Sequence, residues 1–277
     1  MLADMNANAD VMTDSAQRAA ARLETAAATA VPCAPVRDLI GRDDIALAYT
    51  VQRIGTERRL AAGATVVGRK IGLTSEAVQQ QLGVHQPDFG VLFDDMEVGE
   101  DGRVPPGWLL QPKAEAELAF VLGADLDVED VDVALARDAV EYATPALEIV
   151  DSRIANWDIS FGDTVADNAS SGMYVLGTQR LSLSEFSPRD VAMTMWIDGE
   201  VVSTGSGAAC LGDPLNALAW LARTAREFGE PLRAGQVILS GALGPMVSLA
   251  RGSVAEVEIT ADGRSLGTVR FRYEERA

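Results

Sequence analysis

Apolar residues recur at helical spacing in two stretches of the chain. Between residues 43 and 62 an apolar side chain returns every three or four positions, and Gly63 follows as a stop signal. In the second stretch Asp213 is placed to cap a helix, Pro214 suits the first turn, and Gly229 lies beyond the end. The pattern therefore predicts one helix in each stretch.

Shorter runs rich in β-branched and apolar residues predict strands. They cover residues 65–71, 118–122, 193–203, 237–240, 254–259 and 269–273. Strands therefore outnumber helices, and the two types do not alternate as they do in a doubly wound sheet or a TIM barrel. This order of elements favours a β-rich α+β fold with a smaller helical N-terminal part.

The N-terminal stretch differs in composition from the rest of the chain. Residues 1–30 hold 11 alanines with charges scattered between them. This composition predicts a loosely held helix that ends near Pro32, part of it mobile. We accordingly expect a separate segment over residues 1–34 and a single domain over residues 35–277, helical to residue 62 and β-rich after it.

The charge balance limits the kinds of partner. Lysine and arginine number 23 against 41 aspartates and glutamates, which gives a net charge of −18. A chain this acidic is repelled by phosphate backbones and anionic membranes, so nucleic acid is not an expected partner. The longest charge-free run, residues 234–250, is interrupted by glycines and a proline, and no apolar leader opens the chain. We therefore expect a cytoplasmic protein.

Reactive side chains are few. Cys33 and Cys210 are the only cysteines and His85 is the only histidine. A zinc site built from Cys and His is excluded, and Ser-His-Asp chemistry could use only His85. Catalysis would then depend on carboxylates and lysines, a set of groups suited to a hard divalent ion such as Mg²⁺ or Mn²⁺.

Three glutamates lie in otherwise apolar runs. Glu115 and Glu117 are two residues apart in a strand-like segment, so both would project from one face, and Glu148 is alone in a second apolar run. Buried like charges need a cation, which favours a metal site made from the three. The alternative is that Glu115 and Glu117 form the polar face of an edge strand while Glu148 pairs with Arg153. The periodicity leaves both interpretations open.

Lys70 and Asp88 are further candidates. Lys70 follows an apolar strand and lies between glycines that let a ligand approach the backbone. A lysine at such a position can donate a proton or hold a substrate carboxylate, although an ordinary surface lysine fits the pattern as well. Asp88 lies among turn residues, where it is either the partner of Lys70 or a turn-former.

The assembled motifs resemble those of the 2-keto-4-pentenoate hydratase family. The residues that carry the resemblance are Gly68–Thr74, Gln86–Gly90, Gln111–Glu117, Pro145–Glu148, Asp163–Ser170 and Ser240–Pro245. Order and spacing also match, from about residue 35 to the C-terminus. That family belongs to the fumarylacetoacetate hydrolase superfamily. The resemblance implies the superfamily's β-rich mixed fold, with residues 35–277 as the catalytic domain and a divalent metal on three acidic residues.

The resemblance also implies a role for each candidate residue. Glu115, Glu117 and Glu148 would be the ligands of Mg²⁺ or Mn²⁺. Lys70 and Asp88 would be the acid/base pair that moves protons during the reaction.

Thr74, Ser240 and Gly241 would bind the substrate, with Ser240 and the adjacent backbone at its carboxylate end. The chain departs from the resembled pattern at His85, where many relatives carry an acidic residue. This departure bears on substrate preference.

The implied activity is addition of water to a 2-hydroxy-2,4-dienoate, giving a 4-hydroxy-2-oxoacid in the meta-cleavage degradation of aromatic compounds. The alternatives are a 4-oxalocrotonate decarboxylase, an enzyme that hydrolyses a carbon-carbon bond in an acylpyruvate, and a non-catalytic metal-stabilised subunit. The loop over residues 88–95 resembles the hydratase version. The resemblance further implies a homo-oligomer, and association with a downstream aldolase or a related decarboxylase is a further expectation.

Overall fold

The computed structural model describes residues 2–75, 79–80, 84–99 and 102–275, with side chains from residue 12 onward. Its helices are α1 (Leu2–Thr29), α2 (Arg37–Ile40), α3 (Ile45–Ala61), α4 (Val133–Asp138), α5 (Phe161–Ala166) and α6 (Pro214–Glu227). None of the helices described is long and apolar enough to cross a membrane.

Both helices predicted from the pattern are confirmed. Helix α3 begins after Asp44, whose side chain accepts a hydrogen bond from the Leu47 N–H at 3.0 Å. Asp213 caps α6 in the same way, through the Leu215 N–H at 2.8 Å, and Pro214 is its first residue. Gly229, beyond the end of α6, has a φ of +80°, a conformation that glycine adopts without strain.

Helix α1 packs against α3 along one side. The residues buried on that side are mostly alanines, namely Ala16, Ala19, Ala20, Leu23 and Ala26. Small side chains let the two helices approach closely, so the alanine-rich sequence becomes part of the core. The predicted mobility of this segment, and a domain boundary at residue 34, stay predictions.

Twelve strands form two sheets among the described residues. The first contains β1 (Val66–Gly72), β2 (Asp88–Phe93), β4 (Lys113–Leu122), β5 (Val140–Val150), β6 (Ser171–Leu176), β9 (Val237–Leu239) and β10 (Val247–Ser248). The second contains β3 (Arg103–Val104), β7 (Ala192–Ile197), β8 (Glu200–Ser206), β11 (Val254–Ala261) and β12 (Arg264–Tyr273). This arrangement confirms the β-rich α+β fold class.

Strands β4 and β5 are interior strands of the first sheet, whose order is β2-β1-β9-β4-β5-β6, with β10 also joined to β4. They pair antiparallel along nearly their whole length. The main apolar core joins this sheet, the second sheet and the helices, and Phe120 of β4 and Phe271 of β12 are both completely buried in it. A smaller apolar cluster, which includes Phe93 and Tyr174, also packs on the first sheet. Strand pairing and the core thereby fix the relative positions of the strand ends in β1, β2, β4 and β5.

The predicted single strand over residues 193–203 is wrong, because the structure has a hairpin there. Strands β7 and β8 are joined by Asp198 and Gly199, which have φ of +52° and +88°. Asp-Gly is the pair that favours a two-residue hairpin turn. The same pair, Asp262 and Gly263, joins β11 to β12.

Candidate active site

Three carboxylates converge on the shared face of β4 and β5. The antiparallel register places Glu115 opposite Glu148, and Glu117 projects from the same face of β4 two residues later. One oxygen from each side chain lies within 4.8 Å of one oxygen from each of the others. Glu117 is 0% exposed and Glu148 1%, while Glu115 is partly exposed. The cluster therefore opens toward solvent on the Glu115 side.

Burial makes this cluster unfavourable without a cation. It is the largest cause that raises the pKa of Glu115 to about 7, and it raises the pKa of Glu117 and Glu148 as well. Within the described part of the chain, Glu117 Oε1 and Glu148 Oε2 have no hydrogen-bond partner. Three convergent carboxylates with free buried oxygens fit a hard dication such as Mg²⁺ or Mn²⁺.

The edge-strand interpretation is wrong. Strand β4 pairs with β5 along one side. Along the other side it pairs with β10 at residues 113–114, with the Leu243 N–H at Ala116 and with β9 at residues 119–121, so neither glutamate lies on a free edge. Arg153 forms its ion pair with Asp167, and the cation next to Glu148 is Lys70.

Lys70 lies on β1 with its side chain inside the protein, which contradicts the surface-lysine interpretation. It is 2% exposed, and its Nζ is 3.2 Å from Glu148 Oε1 and donates to the Ala169 carbonyl oxygen at 2.9 Å. Burial by itself lowers the pKa of Lys70, but Glu148, Asp88 and the other two glutamates outweigh it and raise the pKa above its ordinary value. The neighbouring carboxylates therefore favour the charged form of Lys70.

Asp88 is the first residue of β2, rather than a turn residue, and its register partner on β1 is Gly72. A Cβ added to Gly72 would lie 2.2 Å from Asp88 Oδ1 and 3.4 Å from Lys70 Nζ. Glycine at this position therefore makes room for the carboxylate and the ammonium together. Burial raises the pKa of Asp88, and the Lys70 charge acts against it.

The three predicted substrate-binding residues adjoin the cluster. Gly241 donates its backbone N–H to Glu117 Oε2 at 2.8 Å, and a Cβ at this residue would lie 2.3 Å from Thr74 Cγ2. Ser240 is completely buried, and its Oγ has no hydrogen-bond partner among the described residues. Gly241 and Thr74 thus pack behind Glu117, next to the buried hydroxyl of Ser240.

The histidine and the cysteines carry none of this chemistry. His85 is exposed. Cys33 and Cys210 are both free, and Cys210 is buried with its Sγ donating to the Ser240 carbonyl oxygen at 3.0 Å. The prediction of two unpaired thiols is confirmed.

Sequence reasoning missed Lys113 and Trp157. Lys113 begins β4, on the face that carries Glu115 and Glu117, and its Nζ is 4.1 Å from the centroid of the Trp157 ring. Burial lowers the pKa of Lys113, and Glu115 acts in the opposite direction. The chain contains only two lysines, and both are near the cluster. A count of lysines would have drawn attention to Lys113.

Comparisons with known proteins agree with this geometry. The family model for the fumarylacetoacetate (FAA) hydrolase C-terminal region matches residues 65–273. The chain is 54% identical over 258 residues to a 2-keto-4-pentenoate hydratase of Paraburkholderia xenovorans LB400, covering 93% of this chain and 94% of that protein. It is 41% identical over 257 residues to a 2-hydroxyhexa-2,4-dienoate hydratase of Comamonas testosteroni, covering 92% and 96%.

A solved structure is similar over almost the whole chain. It is the 4-oxalocrotonate decarboxylase from Pseudomonas putida G7, complexed with magnesium and adipate. The TM-score is 0.85 at 34% identity, and the match covers 92% of this chain and 97% of that one. The similar protein thus binds a divalent metal on the same overall fold.

Proposed function

The chain belongs to the 2-keto-4-pentenoate hydratase family, and from this premise we propose that it adds water to a 2-hydroxy-2,4-dienoate to give a 4-hydroxy-2-oxoacid. It is a hydro-lyase of the fumarylacetoacetate hydrolase fold, and its expected setting is the meta-cleavage degradation of aromatic compounds. The observation that carries the proposal is the convergence of three carboxylates next to the buried Lys70 and Asp88 within one sheet.

Glu115, Glu117 and Glu148 would hold Mg²⁺ or Mn²⁺. When bound, the ion supplies positive charge next to the carboxylate and the C2 oxygen of the substrate. The Gly241 N–H orients Glu117 for this task through its hydrogen bond to Oε2. The Ser240 hydroxyl, which has no partner in the described chain, donates a hydrogen bond to the substrate carboxylate.

Lys70 and Asp88 would move the protons. The dienol becomes a 2-oxo-3-enoate when a proton leaves the C2 hydroxyl and another reaches C5, and water then adds across C3 and C4. Lys70 is the donor, because its ammonium is buried beside the carboxylate cluster, 3.2 Å from Glu148 Oε1. Asp88, whose pKa burial raises, is the acceptor, since a more basic carboxylate takes up a proton more readily.

A direct assay tests the proposal. The purified protein is mixed with 2-hydroxypenta-2,4-dienoate, the loss of dienol absorbance is followed, and the product is identified by NMR. We expect 4-hydroxy-2-oxopentanoate in the presence of Mg²⁺ or Mn²⁺ and none in excess chelator. A dienoate consumed without a 4-hydroxy product would overturn the hydratase assignment.

The second candidate activity is that of a 4-oxalocrotonate decarboxylase, favoured by the likeness to the solved decarboxylase. The test is release of CO₂ from 4-oxalocrotonate under the same conditions. We expect CO₂ release to be slow compared with hydration of the dienoate. If release is the faster reaction, decarboxylation becomes the first candidate activity and hydration the second. Carbon-carbon hydrolysis has less support, because the one histidine is exposed. The intact acid/base pair speaks against a non-catalytic subunit.

A further inference from the structure

A left-handed turn lies directly behind Lys70. Asn168, Ala169 and Ser170 have φ of +54°, +52° and +52°. This conformation is strained for a residue other than glycine, so three in a row persist only where surrounding contacts hold them. The carbonyl oxygen of the middle residue, Ala169, accepts the hydrogen bond from Lys70 Nζ. The turn therefore supplies one of the two oxygens that locate the ammonium.

One side of the turn is held by β2. The side chain of Asn168 accepts from the Val91 N–H at 2.7 Å and donates to the Val91 carbonyl oxygen at 2.9 Å. A Cβ on the neighbouring Gly90 would lie 2.4 Å from the Asn168 carbonyl oxygen, so the two backbones touch. These contacts fix where the turn begins.

The other side is held by a buried ion pair. Asp167 immediately precedes the turn, its side chain is 1% exposed, and it accepts hydrogen bonds from both Nε and the backbone N–H of Arg153. The same guanidinium donates to the carbonyl oxygens of Asp167 and Ser171, the residues before and after the turn. Arg153 thus clamps both ends of the turn, and neither member of the pair has a part in the proton transfers described above.

We propose that the Arg153–Asp167 ion pair is a positioning unit for Lys70, acting through the turn at residues 168–170. The inference rests on the proposed function only in that Lys70 moves a proton during turnover. The ammonium is located by two acceptors, the Ala169 carbonyl and Glu148 Oε1. When the clamp is released, the carbonyl moves away and Lys70 follows Glu148 toward the carboxylate cluster. The proton donor is then misplaced while the metal ligands stay where they are.

Asp167→Asn tests the clamp, because it removes the charge that pairs with Arg153 and keeps the shape of the side chain. We expect kcat to fall about tenfold, since an ångström-scale misplacement of a catalytic group is enough for a loss of that size. KM and the affinity for Mg²⁺ should stay within about twofold, because the substrate-binding and metal-binding groups are untouched.

Asp163→Asn is the matched control. Asp163 is also completely buried, is paired with an arginine (Arg37, at 2.8 Å) and lies four residues earlier in the chain, but its side chain holds the start of α2 and α5, and none of its side-chain hydrogen bonds within the described residues reaches residues 167–171. This variant should lose thermal stability and keep kcat. A loss of kcat in Asp167→Asn no greater than in Asp163→Asn, both measured well below their melting temperatures, would mean that the pair is only structural.

The lysine count allows a readout that is independent of activity. Protein labelled with ¹³C at lysine Cε has two labelled side chains, Lys70 and Lys113, and a Lys113→Arg variant assigns the two NMR signals. Asp167→Asn should shift the Lys70 signal, whereas Asp163→Asn should not. An unchanged Lys70 signal refutes the positioning role. This arm needs no substrate, so its result stands apart from the success or failure of the hydratase assay.

A second variant covers the case in which Asp167→Asn does not fold. Asn168→Gly removes both hydrogen bonds to Val91, and glycine adopts the left-handed conformation without strain. It should shift the Lys70 signal and lower kcat in the same direction. If the signal and kcat are both unchanged, the turn does not position Lys70 and the inference fails.

Discussion

Each of Glu115, Glu117 and Glu148 is less easily ionised than a free glutamate, because burial raises its pKa, and the charge of Glu148 adds to this for the other two. A dication reverses this balance by binding the ionised forms. We therefore expect Glu115→Gln, Glu117→Gln and Glu148→Gln each to lower Mg²⁺ affinity at least tenfold, about the cost of disturbing groups that merely support a metal ligand. Isothermal titration calorimetry measures the change. Glu129→Gln, at an exposed acid outside the cluster, is the control and should bind normally.

Lys70 is subject to two opposing influences once the site holds a dication. The ion disfavours a neighbouring ammonium, whereas Asp88 favours it. Lys70→Met should leave metal binding nearly intact and lower kcat on the order of a hundredfold or more, the range for a lost general acid. Lys70→Arg should restore little, because a guanidinium does not release its proton. Near-normal kcat in Lys70→Met at saturating substrate would make the lysine a bystander.

Individual site residues could be predicted where a charge interrupts an apolar run, as at Glu115, Glu117 and Glu148. Their convergence was a hypothesis at that stage, because periodicity does not show which strands pair. The role expected for Lys70 came from motif resemblance rather than from its own sequence context. The turn at residues 168–170 had no local signal, since its positive φ values depend on Arg153 and Val91, which are distant in sequence.

At the scale of elements, the site depends on how closely β1 and β2 approach. Gly72→Ala places a methyl group 2.2 Å from Asp88 Oδ1, so the carboxylate must move away from Lys70. We expect a fall in kcat of about tenfold or more, together with a lower melting temperature, because β1 is packed on both sides. Steady-state kinetics and differential scanning calorimetry measure the two effects.

Gly55→Ala is the matched control for this substitution. Gly55 lies within α3, and apart from the adjacent helix backbone no atom of the described residues lies within 4 Å of the position its Cβ would take. The change should leave kcat unaltered and stabilise the helix by up to about 1 kcal/mol. If Gly72→Ala were as active as Gly55→Ala, the close approach of β1 to Asp88 would have no catalytic importance.

Helices could be predicted where capping residues and glycines mark their ends. A strand was harder to predict where it contains a residue that disfavours strands. Helices α3 and α6 have aspartate caps and following glycines, so their bounds were nearly correct. Strand β5 was missed although it supplies Glu148, and Pro145 in its middle argues against a strand. Here the Pro145 carbonyl oxygen accepts from the Gly177 N–H at 2.8 Å, so the backbone of Pro145 faces the β6 side, where the ladder begins only at Ala146. The missing N–H therefore costs no ladder hydrogen bond.

At the scale of the whole molecule, we predict a homo-oligomer, as the resemblance to the hydratase family implies. Light scattering at micromolar concentration should give a mass that is a multiple of 29.3 kDa. The same measurement in excess chelator shows whether assembly depends on the metal. The carboxylate cluster is formed within one chain, so metal binding and assembly can be tested separately. A mass of one chain under both conditions would refute the prediction.

Buried acids also make the stability of the whole protein depend on pH. Burial raises the pKa of Glu115 from 4.5 to about 7 and the pKa of Asp167 from 3.8 to about 6. The folded state therefore holds more protons than the unfolded state across the interval between the ordinary and the raised values. The contribution of these groups to the free energy of unfolding is therefore largest at the acidic end of that interval. It is lost as the pH rises through the raised pKa values.

We accordingly predict that, in excess chelator, the melting temperature is lower at pH 7.5 than at pH 5.5. Mg²⁺ competes with protons for the three glutamates, so the rise in melting temperature that it produces should be larger at pH 7.5. Differential scanning calorimetry at the two pH values, with chelator and with Mg²⁺, measures all four quantities. Glu115→Gln should reduce both the pH dependence in chelator and the Mg²⁺ effect, because the same carboxylate underlies both. A Mg²⁺ shift that is equal at the two pH values would contradict the linkage between proton release and metal binding.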